Sequence, residues 1–132
     1  MSSTALVLPQ LSGRGAIGWP MEVRALLGSL QTQAYVPKNR RSSERRTYEV
    51  QAVLWFKDCG GQPQQTTIYT RDANDRAVAF VAQQPFKIGQ STILEIPTPE
   101  GAQRFAGHIR RCRQFREGWF ECLIMFPIAD RR

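Results

Sequence analysis

Residues 66–82 read TTIYTRDANDRAVAFVA. Two runs rich in β-branched and aromatic side chains, TTIYTR and AVAFVA, flank the polar DAND, a composition that favours strand, turn, strand. The same texture recurs on both sides. TYEVQAVLWF (47–56) precedes this pair, and STILEI (91–96), RFAGHIRRC (104–112) and WFECLIMF (119–126) follow it. Turn or loop chemistry separates them: DCGGQPQ, QQPFKIGQ, PTPEG and RQFREG. Six short strands with short links imply antiparallel pairing, and closing the sheet on itself removes exposed edges. The expected fold is therefore all-β, a small six-stranded antiparallel β-barrel.

Upstream of the first strand the periodicity changes. After Trp19-Pro20, the residues Val23, Leu26, Leu27 and Leu30 fall at i, i+3, i+4 and i+7, one face of a helix. Pro20 suits the first turn, where its missing N–H would have no intrahelical partner. This stripe is expected to pack on the barrel or on another chain. Residues 1–18, with Ser, Gly and Pro and little periodicity, read as a loosely attached arm. The expected organisation is an arm over 1–18, an N-terminal amphipathic helix over 19–36 and a barrel over 37–130. A chain of 132 residues accommodates one such domain.

A hydrophobic content of 42% with 22% charged residues is ordinary globular composition. The net charge of +7 points to an anionic partner: nucleic acid, nucleotide or lipid surface. No window approaches the roughly 18 apolar residues of a membrane span. The opening MSSTALVLPQLSG lacks the charged front end and apolar middle of a secretory signal, so a cytoplasmic setting is expected. Cys59, Cys112 and Cys122 show no C-x-x-C pairing, and with the one histidine, His108, they make a poor metal set. Cys112 and Cys122 could face each other across a hairpin; in a reducing compartment they read as buried free thiols. His108 has no neighbouring carboxylate in sequence to orient it as a base. There is no G-x-S-x-G, P-loop or H-E-x-x-H, and Asp72 and Asp75 read as turn acids that bond local backbone. A non-enzymatic chain without metal or cofactor is the expectation.

Charge concentrates in KNRRSSERR (38–46), five cations and one acid. Within it Arg41 and Arg45 form an R-x-x-x-R spacing, preceded by Arg40, where the chain enters the first strand. Asp72-Ala-Asn74-Asp-Arg-Ala77 follows the second strand. This ordered pair resembles the PilZ domain, the bacterial receptor module for cyclic di-GMP. That family carries R-x-x-x-R before its first barrel strand and [D/N]-x-S-x-x-G after its second. KIGQSTILEIP, GHIRRCR and GWFECLIMFPI are similar to the family's later strands, so the resemblance extends over about residues 38–128. Two positions depart from the pattern. Asn74 stands in place of Ser and keeps a hydrogen-bonding side chain of larger size. Ala77 stands in place of Gly, which implies either an ordinary φ here or local strain.

The resemblance implies a bacterial second-messenger receptor with the same ligand. Arg41 and Arg45 would grip guanine and phosphate, because a guanidinium fork pairs bidentately with guanine O6 and N7 or with phosphate oxygens. Asp72 would accept from guanine N1–H and N2–H, with Asn74 beside guanine or phosphate and Ala77 completing the motif. Arg40 resembles the arrangement in members that bind an intercalated ligand dimer. Arg111 falls about where many members present a stacking aromatic, and a guanidinium can stack similarly; its alternative is an exposed strand residue with no ligand. Of the adjacent pairs Trp55-Phe56 and Trp119-Phe120, one member each should face the core. Ligand binding would order residues 36–46 and alter a surface read by an effector protein. Two alternatives stay open. Asn74 and Ala77 motivate a PilZ-like adaptor that has lost nucleotide binding and acts through protein contacts. RFAGHIRRCRQFR, where arginines interleave with aromatics, motivates a single-stranded nucleic-acid barrel, whose binding would fall steeply with salt.

Overall fold

The structure is a computed structural model that describes residues 8–9, 20–25, 27 and 46–127. Arg40, Arg41 and Arg45 lie outside the described residues, as do Leu26, Leu30 and most of the expected arm and helix. Seven strands are described: β1 (Arg46–Thr47), β2 (Gln51–Lys57), β3 (Pro63–Ala73), β4 (Ala77–Ala82), β5 (Ser91–Ile96), β6 (Gln103–Arg116) and β7 (Trp119–Met125). Their order is β1-β3-β2-β5-β6-β7-β4, and an added β3–β4 pairing closes β2 to β7 into a six-stranded barrel with β1 beside β3. Every pairing is antiparallel.

β4 and β5 cover the residues expected of them, whereas β3 and β6 run longer. The first expected strand is divided. Thr47 belongs to β1, and the break at 48–50 is bridged to β3 by backbone bonds and one side-chain hydroxyl. Val50 N–H donates to Thr70 Oγ1 at 2.8 Å, and Tyr48 N–H donates to the Arg71 carbonyl at 3.0 Å. A hydroxyl thus completes a ladder that the backbone alone leaves open.

Alternation along each strand fills the barrel. Ala52 and Leu54, Ile68, Val78, Phe80 and Ala82, Leu94 and Ile96, Ile109, and Cys122 and Ile124 all belong to one buried cluster. Phe86, from the β4–β5 loop, closes one end, edge-on to Phe56 at 5.1 Å and to Phe80 at 6.3 Å between centroids. Phe105 and Phe126 meet edge-on elsewhere in the same cluster at 6.2 Å. Cys112 and Cys122 are cross-strand partners with Sγ atoms 3.3 Å apart, both free thiols, and burial pushes the Cys122 thiol above its ordinary range.

The outer face has its own apolar cluster. Residues 21–25 and 27 are helical, and Val23 and Leu27 are buried against Val81 and Trp119 with Tyr69 and Phe115 around them. Trp119 Nε1–H donates to Glu22 Oε2 at 2.7 Å. Trp119 is therefore buried beneath the helical segment rather than inside the barrel, while Phe56 and Phe120 pack with the interior. Leu8 packs against the main core and Pro9 O accepts from the Tyr48 hydroxyl at 3.0 Å.

Bulges in two strands set which side chains face outward. The β3–β4 register shifts between Thr70 and Asp72, and the β6–β7 register shifts between Ile109 and Arg111 and again between Gln114 and Arg116. Strict alternation from Thr70 or Ile109 would send Asp72 and Arg111 into the core. The extra residue in each strand reverses this. Asp72 pairs with Ala79 and Arg111 with Leu123 on the outer face, while Ala73 and Cys112 turn toward the interior.

Gly107 lies where β6 meets the end of β7. A Cβ there would sit 2.5 Å from the Met125 carbonyl oxygen and 2.9 Å from Phe126 Cδ1. Backbone in a closed barrel cannot yield cheaply. Gly107→Ala is expected to destabilise the fold by about 1–3 kcal/mol, measured by urea denaturation; an unchanged midpoint would contradict this packing.

Candidate functional site

Lateral pairing aligns a row across five strands: Thr47 on β1, Asp72 on β3, Ala79 on β4, Leu123 on β7 and Arg111 on β6. Asp72 and Arg111, far apart in sequence, thus occupy one lateral line of the outer face. Three strand spacings separate them, ~14 Å. The floor between is apolar and small. Ala77, Ala79 and Leu123 are buried together with Met125 against them.

Charged groups that the motif reading did not single out organise this face. Arg71, the bulged residue of β3, donates from Nε to Asp72 Oδ2 at 2.8 Å and from Nη1 to Glu121 Oε2 at 2.7 Å. Glu121 also accepts at Oε1 from Arg113 Nε at 2.8 Å, with Arg113 Nη2 in ion-pair contact at 2.7 Å, and its Oε2 lies 4.0 Å from Arg111 Nη2. Arg111 and Arg113 are about half exposed, whereas the Arg71 and Glu121 side chains are 4% and 3% exposed. The sequence signal for Glu121 is an acid inside the otherwise apolar WFECLIM. No motif marks it.

The turn after β3 is built by Asn74. Its Oδ1 accepts from the backbone N–H of Arg76 at 2.8 Å and of Ala77 at 2.9 Å, while Asn74 N–H donates to the Ala77 carbonyl at 3.0 Å. The side chain mimics a backbone acceptor and tightens the link between β3 and β4. Only the amide N–H groups of Asn74 remain directed elsewhere, which narrows what it can offer a ligand to donation. Ala77 has no positive φ, so the position does not require glycine for its backbone conformation.

β1 brings the chain past this turn. Arg46 pairs with Ala73 and Thr47 with Asp72, so the residue that directly follows Arg45 in sequence lies alongside the D-x-N-x-x-A segment. The aromatics of RFAGHIRRCRQFR do not form a stacking platform. Phe105 packs against the interior beside Phe126, and Phe115 packs beneath the helical segment. Among the described residues, no group of three or more His, Cys, Asp and Glu could hold a metal ion, and no helix is long and apolar enough to cross a membrane.

The barrel is similar to that of the PilZ domain of YcgR from Escherichia coli, determined with c-di-GMP. The TM-score is 0.51 at 12% sequence identity, over 67% of this chain and 78% of that chain. At that identity the likeness is one of fold, and the fold is PilZ-like. No protein-family model and no curated protein matches the sequence.

Asn74→Ala would leave two backbone N–H groups without their acceptor. A stability loss of about 0.5–1.5 kcal/mol is expected in thermal or urea unfolding; a loss below the error of the measurement would mean that water replaces the amide oxygen without penalty.

Proposed function

We propose that the chain is a non-catalytic receptor that binds cyclic di-GMP on the outer face of the barrel, between the Arg40–Arg45 segment and Asp72. The supporting observation is the β1–β3 pairing. Arg45 is covalently joined to Arg46, the cross-strand partner of Ala73, and consecutive Cα atoms lie ~3.8 Å apart. Chain connectivity therefore ties the R-x-x-x-R segment to the edge that carries Asp72. Arg41 and Arg45 supply planar forks for guanine and phosphate, which lysine could match in charge but not in geometry. Asp72 accepts from the guanine N1–H and N2–H edge. Asn74 donates from its amide, and Ala77 contributes to the floor with Ala79 and Leu123.

Arg111 stands further from Asp72 than one purine spans, so it serves a second base, a phosphate or the second molecule of an intercalated dimer, to which Arg40 also contributes. The next lateral row, Tyr69–Val81–Glu121–Arg113, runs under the helical segment through Val81. Ligand on the Asp72 row would border that helix and alter the surface offered to an effector protein, in a bacterial cytoplasm. The adaptor reading retains one supporting observation, the use of Asn74 Oδ1 within its own turn.

Isothermal titration with cyclic di-GMP tests the receptor reading. Binding should be measurable, with affinity reduced about a hundredfold or more in Arg41→Ala/Arg45→Ala through loss of two charge-assisted contacts. Absence of heat at high micromolar ligand, or equal binding by the variant, would reject it. In the same titration, a large gain of affinity in Asn74→Ser/Ala77→Gly would show an impaired native site and favour the adaptor. A steep loss of oligonucleotide affinity with salt would instead mark a polyanion surface, since a ligand with two phosphates gives a shallow slope.

A further inference from the structure

We infer that Arg71 and Glu121 are the positioning residues of this ligand face, an inference that rests on the cyclic di-GMP reading. Neither side chain is open enough to grip a ligand itself. Arg71 starts in the β3 bulge and ends on Glu121 of β7, and β4 lies between those strands. Its side chain must therefore cross the outer face of β4. On the way, Nε holds Asp72 Oδ2 at 2.8 Å. One guanidinium fixes the orientation of the Asp72 carboxylate against β7. Glu121 then passes the constraint to β6, accepting from Arg113 Nε, ion-pairing with its Nη2 and facing Arg111 at 4.0 Å. Asp72 and the β6 guanidiniums are thereby tied together across four strands through one buried carboxylate.

The composition of β4 fits this route. Ala79 is fully buried, on the outer face, in the same row as Asp72 and Leu123. A larger side chain there would occupy the space Arg71 needs. Net stability is a poor reason for such a pair, because desolvating two charges offsets most of their attraction, and apolar replacements of similar volume are often neutral or stabilising. What an apolar pair could not do is aim the Asp72 carboxylate and hold the β6 forks apart. Lysine at 71 would keep the charge opposite Glu121. It lacks the fork that reaches both carboxylates at once.

The test measures cyclic di-GMP affinity and melting temperature together for the wild-type chain, Arg71→Lys, and the paired replacement Arg71→Met/Glu121→Leu, which removes both charges so that neither is left buried alone. Positioning predicts that both variants stay folded, with melting near wild type, and lose about ten- to a hundredfold in affinity as Asp72 loses its fixed orientation. A folded variant of either kind that binds within about twofold of wild type would overturn the inference while leaving the receptor reading intact. Affinity that falls only in step with melting temperature would also overturn it, because it would show a purely structural role. If Arg71→Lys fails to fold, the paired replacement decides alone. Absence of wild-type binding would overturn both the receptor reading and this inference.

Discussion

The outer face of this barrel carries charge where it does because β3 and β6 each break the regular ladder with an extra residue just before Asp72 and Arg111. A regular strand commits alternate residues to the interior. With Ile68 and Thr70 on one strand and Ile109 on the other facing inward, the next alternate positions are Asp72 and Arg111. An unpaired charge inside a barrel of Leu, Ile and Phe would be prohibitive. The bulges resolve the conflict by rotating each charged residue outward and delivering Ala73 and Cys112 to the core instead. The facing of Cys112 and Cys122 is a by-product of that rotation.

The β3 bulge also positions Arg71 to reach across the sheet. Its ion pair with Glu121, shared with Arg113, makes three of the six barrel strands, β3, β6 and β7, mutually dependent on their outer side as well as through the core. The apolar cluster of Val23, Leu27, Val81 and Trp119 abuts this network through the shared row of Val81 and Glu121. The helical segment and the charged face therefore meet along one line. At the other edge, Tyr48 follows β1 directly and its hydroxyl donates to the Pro9 carbonyl.

Much of the barrel was legible in the sequence. Six runs of β-branched and aromatic residues with turn residues between them gave strand number and antiparallel pairing, because hairpin connections are local and period-two burial is a property of the strand itself. AVAFVA and STILEI have the observed bounds for this reason. The apolar stripe after Pro20 similarly anticipated Val23 and Leu27 on the barrel. The basic segment and the Asp72 turn were visible as residue types in order, and the β1–β3 register sets Arg46 and Thr47 beside Ala73 and Asp72.

Local chemistry determined which segments are strands, where turns fall and which residue types could meet an anionic ligand. Only the closed sheet decided the direction in which those residues point. Strict alternation would have buried Asp72 and Arg111, and no sequence signal marks the bulges that precede them, since a bulge is favoured by what the neighbouring strand and the core require. The role of Glu121 was equally invisible: an acid in an apolar strand acquires its meaning from Arg71, fifty residues away, and that distance is closed only when β3, β4 and β7 pair. Period and propensity act within a strand. Register and facing are properties of the whole barrel.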